Sequence, residues 1–144
     1  MLAAAITRIE ARVSSLAGRI YGAADFARLM ATNDIRSIQG GAYVLSMSLR
    51  GGQARAATGA FVQDVEEGLS IVLVQRSEDP RAIQALATIE AQRDAVIAGL
   101  LGWAPPGEPG PMRLSQGRMI NVGAGLLVFQ IDFAVATQLR INPS

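Results

Sequence analysis

The stretch Gly125-Leu-Leu-Val-Phe-Gln-Ile-Asp-Phe-Ala-Val-Ala-Thr-Gln-Leu-Arg140 decides the fold. From Leu127 every second residue is bulky or β-branched, whereas most residues between them, from Gln130 to Arg140, are small or polar. Because successive side chains of a strand point to opposite faces, this pattern predicts one long strand with a core face and a wetter face. At about 3.3 Å per residue it would run roughly 50 Å, which a small monomer cannot easily pair in full. We therefore expect its inner half to hold the fold and its far end to help build an assembly.

Length and composition favour one domain over residues 1–144 and exclude several kinds of partner. Half of the 144 residues are apolar and 17% are charged. The net charge is +1, so the protein has no strong electrostatic field that would favour binding to nucleic acid or to an acidic membrane. The longest apolar runs are too short to span a bilayer, and we read the N-terminal stretch as an ordinary helix. All thirteen basic residues are arginine, a planar cation suited to pairing at interfaces.

The chain carries no recognisable reaction chemistry. It has neither cysteine nor histidine, which excludes disulfides, thiolate metal sites and Ser-His-Asp or Cys-His catalysis within the chain. Its glycine pairs lack the spacing and the following helix of a phosphate-binding loop. Asp64, Glu66 and Glu67 form the only dense acidic cluster, which is either a solvated strand segment or, much less commonly, a Mg²⁺ or Ca²⁺ site. We predict no enzyme activity, no cofactor and no metal.

Three helices are predicted from apolar spacing and end signals. The first covers about residues 2–17, with Gly18 near its end, and the second is short, from Ala23 to Met30. The third follows the turn Ser77-Glu-Asp-Pro-Arg81 and runs to about Leu101. Its predicted inner face consists of Ile83, Leu86, Ile89, Val96, Ile97, Leu100 and Leu101.

Glu90 and Arg93 fall close to that inner face and are three residues apart. They either pair along the helix at the rim of the core or contact a neighbouring subunit.

Alternation predicts three further strands. These are Tyr43–Leu49, Ala60–Arg76 with an irregularity at Gly68, and Met112–Ile120 with a break at Gln116-Gly117. Leu69–Val74 is apolar on both faces and should lie centrally in the sheet.

Loops are predicted between these strands. Residues 50–59 contain three glycines and no large apolar group, which predicts a mobile hairpin tip. The Pro-rich loop 102–111 should be ordered, with Trp103 packed over the helix end, and Asn121–Gly125 should turn into the last strand.

The predicted order is α, short α, β, β, α, β, β. Strands linked as hairpins, with one crossover helix, give an α+β domain. We expect an antiparallel or mixed twisted sheet of about four long strands, covered by two main helices and accompanied by the short one.

Several local phrases, in their order, resemble the tail terminator (tail completion) proteins of long-tailed bacteriophages and prophages. They are Gly22-Ala-Ala-Asp-Phe-Ala-Arg-Leu29, Gly41-Ala-Tyr-Val-Leu45, the strand Leu69–Arg76, Leu100-Leu-Gly-Trp-Ala-Pro-Pro106 and Phe129-Gln-Ile-Asp-Phe133. The resemblance covers nearly the whole chain. It implies an α+β subunit of a ring, typically a hexamer, in the virion at the head-proximal end of the tail tube.

In that role the subunit would be assembled in the host cytoplasm, stop tube polymerisation and meet the tail tube protein and the head-completion or neck proteins. DNA would pass through the ring without sequence-specific binding. The alternatives are another neck or head-completion connector of the same particles, or a binding module or small enzyme using the acidic cluster. Candidate contacts to a subunit or the tube are Arg50, Gln53, Arg55, Glu90, Arg93, Gln130, Asp132, Gln138 and Arg140.

Overall fold

The fold is α+β, with a mixed sheet that has helices on both faces. A computed structural model describes residues 1–32, 40–57, 59–77, 83–107, 110–123 and 125–142. In chain order these form α1 (Leu2–Arg12), a 3-10 turn (Ser14–Leu16), β1 (Ile20–Tyr21), α2 (Ala23–Thr32), β2 (Gly41–Ala57), β3 (Ala60–Arg76), α3 (Ile83–Leu100), β4 (Arg113–Gly123) and β5 (Leu126–Ile141).

The sheet order among the described strands is β1-β2-β3-β5-β4, and only the β1–β2 pair is parallel. The predicted order and the estimate of four strands missed β1, because two residues carry no readable periodicity.

β3 is the central strand and pairs with every residue of β5. The register runs from Phe61 opposite Ile141 to Arg76 opposite Leu126. The expectation that a monomer could hardly pair the last strand is therefore wrong, since Ala60–Arg76 supplies a partner of matching length. The burial of the strand does divide as predicted: it is largely enclosed up to Val135 and mostly exposed beyond it.

The prediction of a mobile loop at residues 50–59 is also wrong. β2 continues through Ala57 and pairs with β3 as far as Ala57 opposite Ala60. Backbone hydrogen bonds need no apolar side chain, so the segment extends the hairpin although nothing in its composition predicts a strand. Within residues 50–57 the pairing is interrupted between Gly51 and Ala54. The chain reverses next to Gly59, whose φ is +79°.

The irregularity predicted at Gly68 lies on the neighbouring strand. Ser46 pairs with Leu69 and Ser48 with Gly68, so Met47 is the extra residue of a bulge in β2. The bulge brings Ser48 so close that a Cβ on residue 68 would collide with its Oγ atom. A side chain at residue 68 would therefore fit only if the Ser48 hydroxyl turned away from it.

α1 and α3 cover one face of the sheet and form the main core with it. Buried members of that core include Ile9, Val96 and Leu100 from the helices and Ile71 and Phe133 from the sheet. α2 covers part of the other face, where Leu29 packs with Tyr43, Leu45, Val72 and Val74. As predicted, Leu69–Val74 is buried on both faces. In the described ranges, no helix is long and apolar enough to cross a membrane.

The helices deviate from their predicted bounds and faces. α1 ends at Arg12 because Val13 leaves the helical region, and the chain continues into the 3-10 turn instead of the helix predicted to residue 17. α3 buries Ala85, Ile89, Gln92, Val96, Gly99 and Leu100. The predicted members Ile83, Leu86 and Leu101 are exposed instead. Small residues misled the prediction, since Gly99 is buried against Arg12 of α1 and Ala85 packs with Leu127 of β5. The residues 78–82 of the predicted turn lie outside the described part of the chain.

Backbone hydrogen bonds hold the two ends of the Pro-rich loop together, and residues 108–109 of the loop lie outside the described part of the chain. The amide of Met112 donates to the Trp103 carbonyl at 2.8 Å, and the Gly102 amide donates to the Met112 carbonyl at 2.8 Å. Trp103 packs against the main core, with the Arg8 guanidinium 5.0 Å from its ring.

β4 is longer than predicted. Its irregularities fall between Leu114 and Gln116 and between Met119 and Asn121, and it continues to Gly123. The turn therefore starts later than the predicted Asn121.

We predict that Gly68→Ala lowers the free energy of unfolding by about 1 kcal/mol, because the Ser48 hydroxyl must move away from the added methyl group and a displaced rotamer costs energy of that order. Ser48→Ala removes the colliding Oγ, so adding it should restore most of that loss. Chemical denaturation of the two single variants and the double variant measures the coupling. If the free-energy changes of the two single variants add up to that of the double variant, Ser48 is not the reason that residue 68 is a glycine.

Candidate assembly surface

The sheet face opposite α1 and α3 is left uncovered beyond α2, and we call this region the open face. Cross-strand partners share a face, so the register assigns its members. Its polar members are Ser48, Arg50 and Arg55 of β2, Asp64, Glu66 and Ser70 of β3, Arg113, Gln116 and Arg118 of β4, and Gln130, Asp132, Gln138 and Arg140 of β5. The same face also carries Val62, Gly68, Ala134 and Ala136. Most of these side chains are polar or small, which is why no core forms over them.

Asp132 is the centre of the open face. Its carboxylate accepts hydrogen bonds from Ser70 Oγ at 2.7 Å, Gln130 Nε2 at 2.8 Å and Gln116 Nε2 at 2.9 Å. Partial burial would raise the pKa of Asp132, but these hydrogen bonds and the charge of Arg118 outweigh it and lower the pKa below its ordinary value. The carboxylate is therefore a fixed negative charge that joins three strands.

Two acids of the sequence cluster, Asp64 and Glu66, are paired with other groups along the same surface, whereas Glu67 lies on the opposite face. Asp64 accepts from Gln138 Nε2 at 2.9 Å and lies 3.4 Å from Arg55 Nη2. Glu66 Oε2 is 2.7 Å from Arg113 Nη2. Asp64 and Glu66 do share a face, as predicted, but arginines rather than further acids surround them. No group of three potential metal ligands occurs among the residues that the structure describes.

A shallow groove of about 370 Å³ crosses the open face. It exists because Gly68 and Ala134 are small, while Arg50, Glu66, Gln116 and Asp132 stand around them. The groove exposes hydrogen-bonding groups of both signs and has no group positioned for bond making or breaking. It can contact another polar surface.

The structure brings six of the nine candidate residues together and separates three. Six lie on the open face: Arg50, Arg55, Gln130, Asp132, Gln138 and Arg140. Gln53 lies within the irregular segment of β2. Glu90 and Arg93 lie on α3, behind the sheet.

Arg93 does not form the predicted pair with Glu90 along the helix. Its Nε atom is 3.0 Å from Asp94 Oδ1, and its guanidinium lies 5.8 Å from the Phe129 ring. Glu90 is exposed. A contact of either residue with a neighbouring subunit remains a proposal.

The sequence prediction missed an exposed apolar surface at the far end of the sheet. We call the three-stranded end formed by Leu49–Ala57, Ala60–Glu67 and Val135–Ile141 the arm. On its side opposite the open face, the exposed fractions are 61% for Leu49, 39% for Phe61, 44% for Leu139 and 59% for Ile141. The alternation of side chains predicted that these residues belong to the core. It does not tell where the helices lie over the sheet, and α1 and α3 do not cover these four residues.

We predict that Asp132→Asn lowers the free energy of unfolding by about 1 kcal/mol near neutral pH, because an amide nitrogen replaces an acceptor among three donors. The ionised form is favoured by folding, so its contribution is fully present above the unfolded pKa of about 4. It is lost as pH falls through the lower folded-state pKa. The difference between the two proteins should therefore shrink below about pH 4.

Denaturation across a pH series tests this prediction, with Asp64→Asn as the control. Asp64 has fewer partners and is more exposed, so its substitution should cost less. An effect of Asp132→Asn that is unchanged at the lowest pH would contradict the role given to the carboxylate.

Comparisons with known proteins identify one family model that matches the chain and a solved structure that shares its fold. The fold is similar to that of a chain in the "Virion of native gene transfer agent (GTA) particle", with a TM-score of 0.62 and 15% sequence identity, covering 96% of this chain and 95% of that chain. No curated protein matches the sequence significantly. The model of the family described as "Phage tail terminator protein" matches residues 2–143. The chain therefore belongs to the phage tail terminator family and is a structural, non-catalytic component of a phage-type virion.

Proposed function

We propose that this protein forms a ring, of six copies by analogy with the family, that caps the head-proximal end of the tail tube. The ring stops tube polymerisation and provides the joint to the head-completion or neck proteins. The observation that carries the proposal is the family match over residues 2–143 of a chain whose polar sheet face is left open. Assembly takes place in the host cytoplasm before the virion is complete.

The open face supports this role by its chemistry. It carries five arginines and three acids and is cross-linked within itself by the hydrogen bonds of Asp132 and the pair of Arg113 with Glu66. A surface held in this way presents fixed donors and acceptors to a partner without having to order them on binding. Such a surface suits the tail tube protein, a neck protein or a neighbouring subunit.

The ring leaves a path for DNA in this proposal. The net charge of +1 gives the subunit no strong attraction for the duplex. DNA passes without sequence-specific binding, as a conduit requires.

Tube assembly in the presence and absence of the purified chain tests the proposed function. We expect tubes of the tail tube protein to stop growing and to carry a ring at one end when the chain is added. A ring bound on the portal side of the neck, with no effect on tube length, would favour another neck or head-completion connector.

Deleting residues 51–58 is a poor test of the hairpin, because residues 51–57 belong to β2 and pair with β3. We instead predict that Arg50→Glu weakens tube capping at least tenfold, since it places a negative charge in the groove next to Glu66. The matched control is Arg12→Glu, on α1 and likewise exposed. Each reversal should change the free energy of unfolding by less than about 1 kcal/mol.

Tube length and fraction capped, measured by electron microscopy against protein concentration, give the comparison. Unchanged capping by Arg50→Glu would remove the groove from the binding surface while leaving the function of the wild-type chain untouched.

A further inference from the structure

Three arginines of the open face have no bonding partner in the described chain. Arg50 of β2, Arg118 of β4 and Arg140 of β5 are exposed, and none of them forms a hydrogen bond or an ion pair with another described residue. Every acid of the same face, by contrast, already accepts a hydrogen bond. These acids are Asp64, Glu66 and Asp132. The bonding capacity that this face leaves unused is therefore that of cationic donors.

Arg50 is unpaired although an acid lies directly opposite it. Glu66 is its partner in the register, yet the Oε2 atom of Glu66 is 2.7 Å from Nη2 of Arg113. Arg113 reaches this acid from β4 across β5, where the side chains in between are only those of Ala134 and Ala136. The Arg50 side chain is left at the wall of the groove as an unbonded donor.

The free arginines are spread over the open face. Arg50 pairs with Glu66 and Arg140 with Val62, four residues away along β3, and β2 and β5 are two strands apart. With strands about 4.8 Å apart and a rise of about 3.3 Å per residue, the two arginines are separated by about 16 Å. Arg118 lies on β4, beyond β5. A small anion cannot contact all three, whereas a protein surface of about 800 Å², the usual share of one partner in an interface, can.

A protein with separate carboxylates fits this pattern better than a nucleic acid does. The acids Asp64, Glu66 and Asp132 lie among the arginines, on the two inner strands β3 and β5. Duplex DNA carries one negative charge per about 1.7 Å of its axis, so its backbone would also run over these carboxylates. A protein can place one carboxylate at each free arginine and uncharged groups between them, as electrostatically complementary interfaces do.

A second copy of this chain offers only a sparse acidic surface among its described residues. The acids that bond no other described group are Glu10, Glu67 and Glu90. They lie on α1, on the side of β3 turned away from the open face, and on α3. One acid on each of three elements makes no cluster, so a different protein is the better match.

We propose that the open face binds an acidic surface of a different protein of the particle, one of whose carboxylates enters the groove and bonds Arg50. Arg118 and Arg140 bond further carboxylates on either side of it. An arginine can donate two parallel hydrogen bonds to a carboxylate, so each contact fixes orientation as well as matching charge. This inference deepens the proposed function, on which it rests for the choice of tail tubes and neck proteins as the partners to be tested.

The absence of lysine from the chain makes the test direct. Because every basic residue is an arginine, Arg50→Lys introduces the only side-chain amine. The variant is mixed with tail tubes, and in parallel with the purified neck protein, and treated with a water-soluble carbodiimide, which joins an amine to a carboxylate in direct contact. Mass spectrometry then identifies the linked residues. We expect a link between residue 50 and an Asp or Glu of one of these proteins.

Arg12→Lys is the matched control, since Arg12 is exposed on α1, behind the sheet, and its variant should give no such link. A link from residue 50 only to Glu66 of the same chain, in a variant that is bound to its partner, would overturn the proposal. A link to a second copy of the chain would also overturn it, because the occupant would then be the chain itself. So would binding of the wild-type chain to a DNA duplex at physiological ionic strength that Arg50→Gln abolishes.

Removal of the charge gives a second readout that does not depend on crosslinking. Arg50→Gln should weaken binding to the linked partner about tenfold, because a charge-assisted hydrogen bond is lost. Arg50→Lys should bind more tightly than Arg50→Gln, since it keeps the cation. Arg12→Gln is the control, and thermal unfolding checks that each variant is folded. Equal binding by the wild-type chain and Arg50→Gln, measured by co-sedimentation, would overturn the role of Arg50.

This proposal and the proposed function fail separately. If the wild-type chain stops tube growth but residue 50 links to no foreign carboxylate and Arg50→Gln binds normally, the acidic contact is wrong and the capping function stands. If the link forms as expected but tube length does not change, the acidic contact stands and the capping function falls.

Discussion

The pairing of β3 with β2 on one side and β5 on the other is the constraint on which the rest of the structure depends. Seventeen residues of β3 are held in an antiparallel register that continues to the last residue of β5. A sheet of this length exceeds what two helices of eleven and eighteen residues can cover, since a helix rises only about 1.5 Å per residue and a strand about 3.3 Å. An uncovered end is therefore a geometric consequence of the strand lengths, and the arm is that end.

The part of the fold that could be predicted is the part in which buried and exposed side chains follow a regular pattern along the sequence. Alternation located β5, the two-sided apolar run placed Leu69–Val74 at the centre, and the proline pattern placed Trp103 over the helix end. The segment 50–57 escaped prediction because a hairpin extension is held by backbone hydrogen bonds, which leave no pattern in an Arg- and Gly-containing sequence. The inner face of α3 was misjudged because close approach selects Ala85 and Gly99, while periodicity weights large residues such as Leu86.

The candidate site was predicted as a set of polar residues that are scattered along the sequence. The strand register places most of them on one face of the sheet. Gln130 and Asp132 could be assigned to one face from the sequence, but their proximity to Ser70, Gln116 and Arg113 follows only from the strand order, in which β5 lies between β3 and β4. The bonds to Asp132 also explain how a polar sheet face stays ordered without a covering layer, because charge-assisted hydrogen bonds across strands replace apolar packing there. The predicted pair of Glu90 with Arg93 does not form, because Asp94 and the Phe129 ring contact the Arg93 guanidinium instead.

Long free edges on a sheet usually invite uncontrolled association, and the arm contains devices that limit it. The irregularity of β2 between Gly51 and Ala54 interrupts the regular row of backbone groups, and Arg50 and Arg55 place charges along the same strand. Edge pairing is thereby disfavoured, whereas the apolar side of the arm is left available. The two sides of the arm thus differ in kind, with fixed charges and hydrogen bonds on the open face and aliphatic and aromatic surface on the other. A subunit with that asymmetry can bind two chemically different partners, one through each side of the arm.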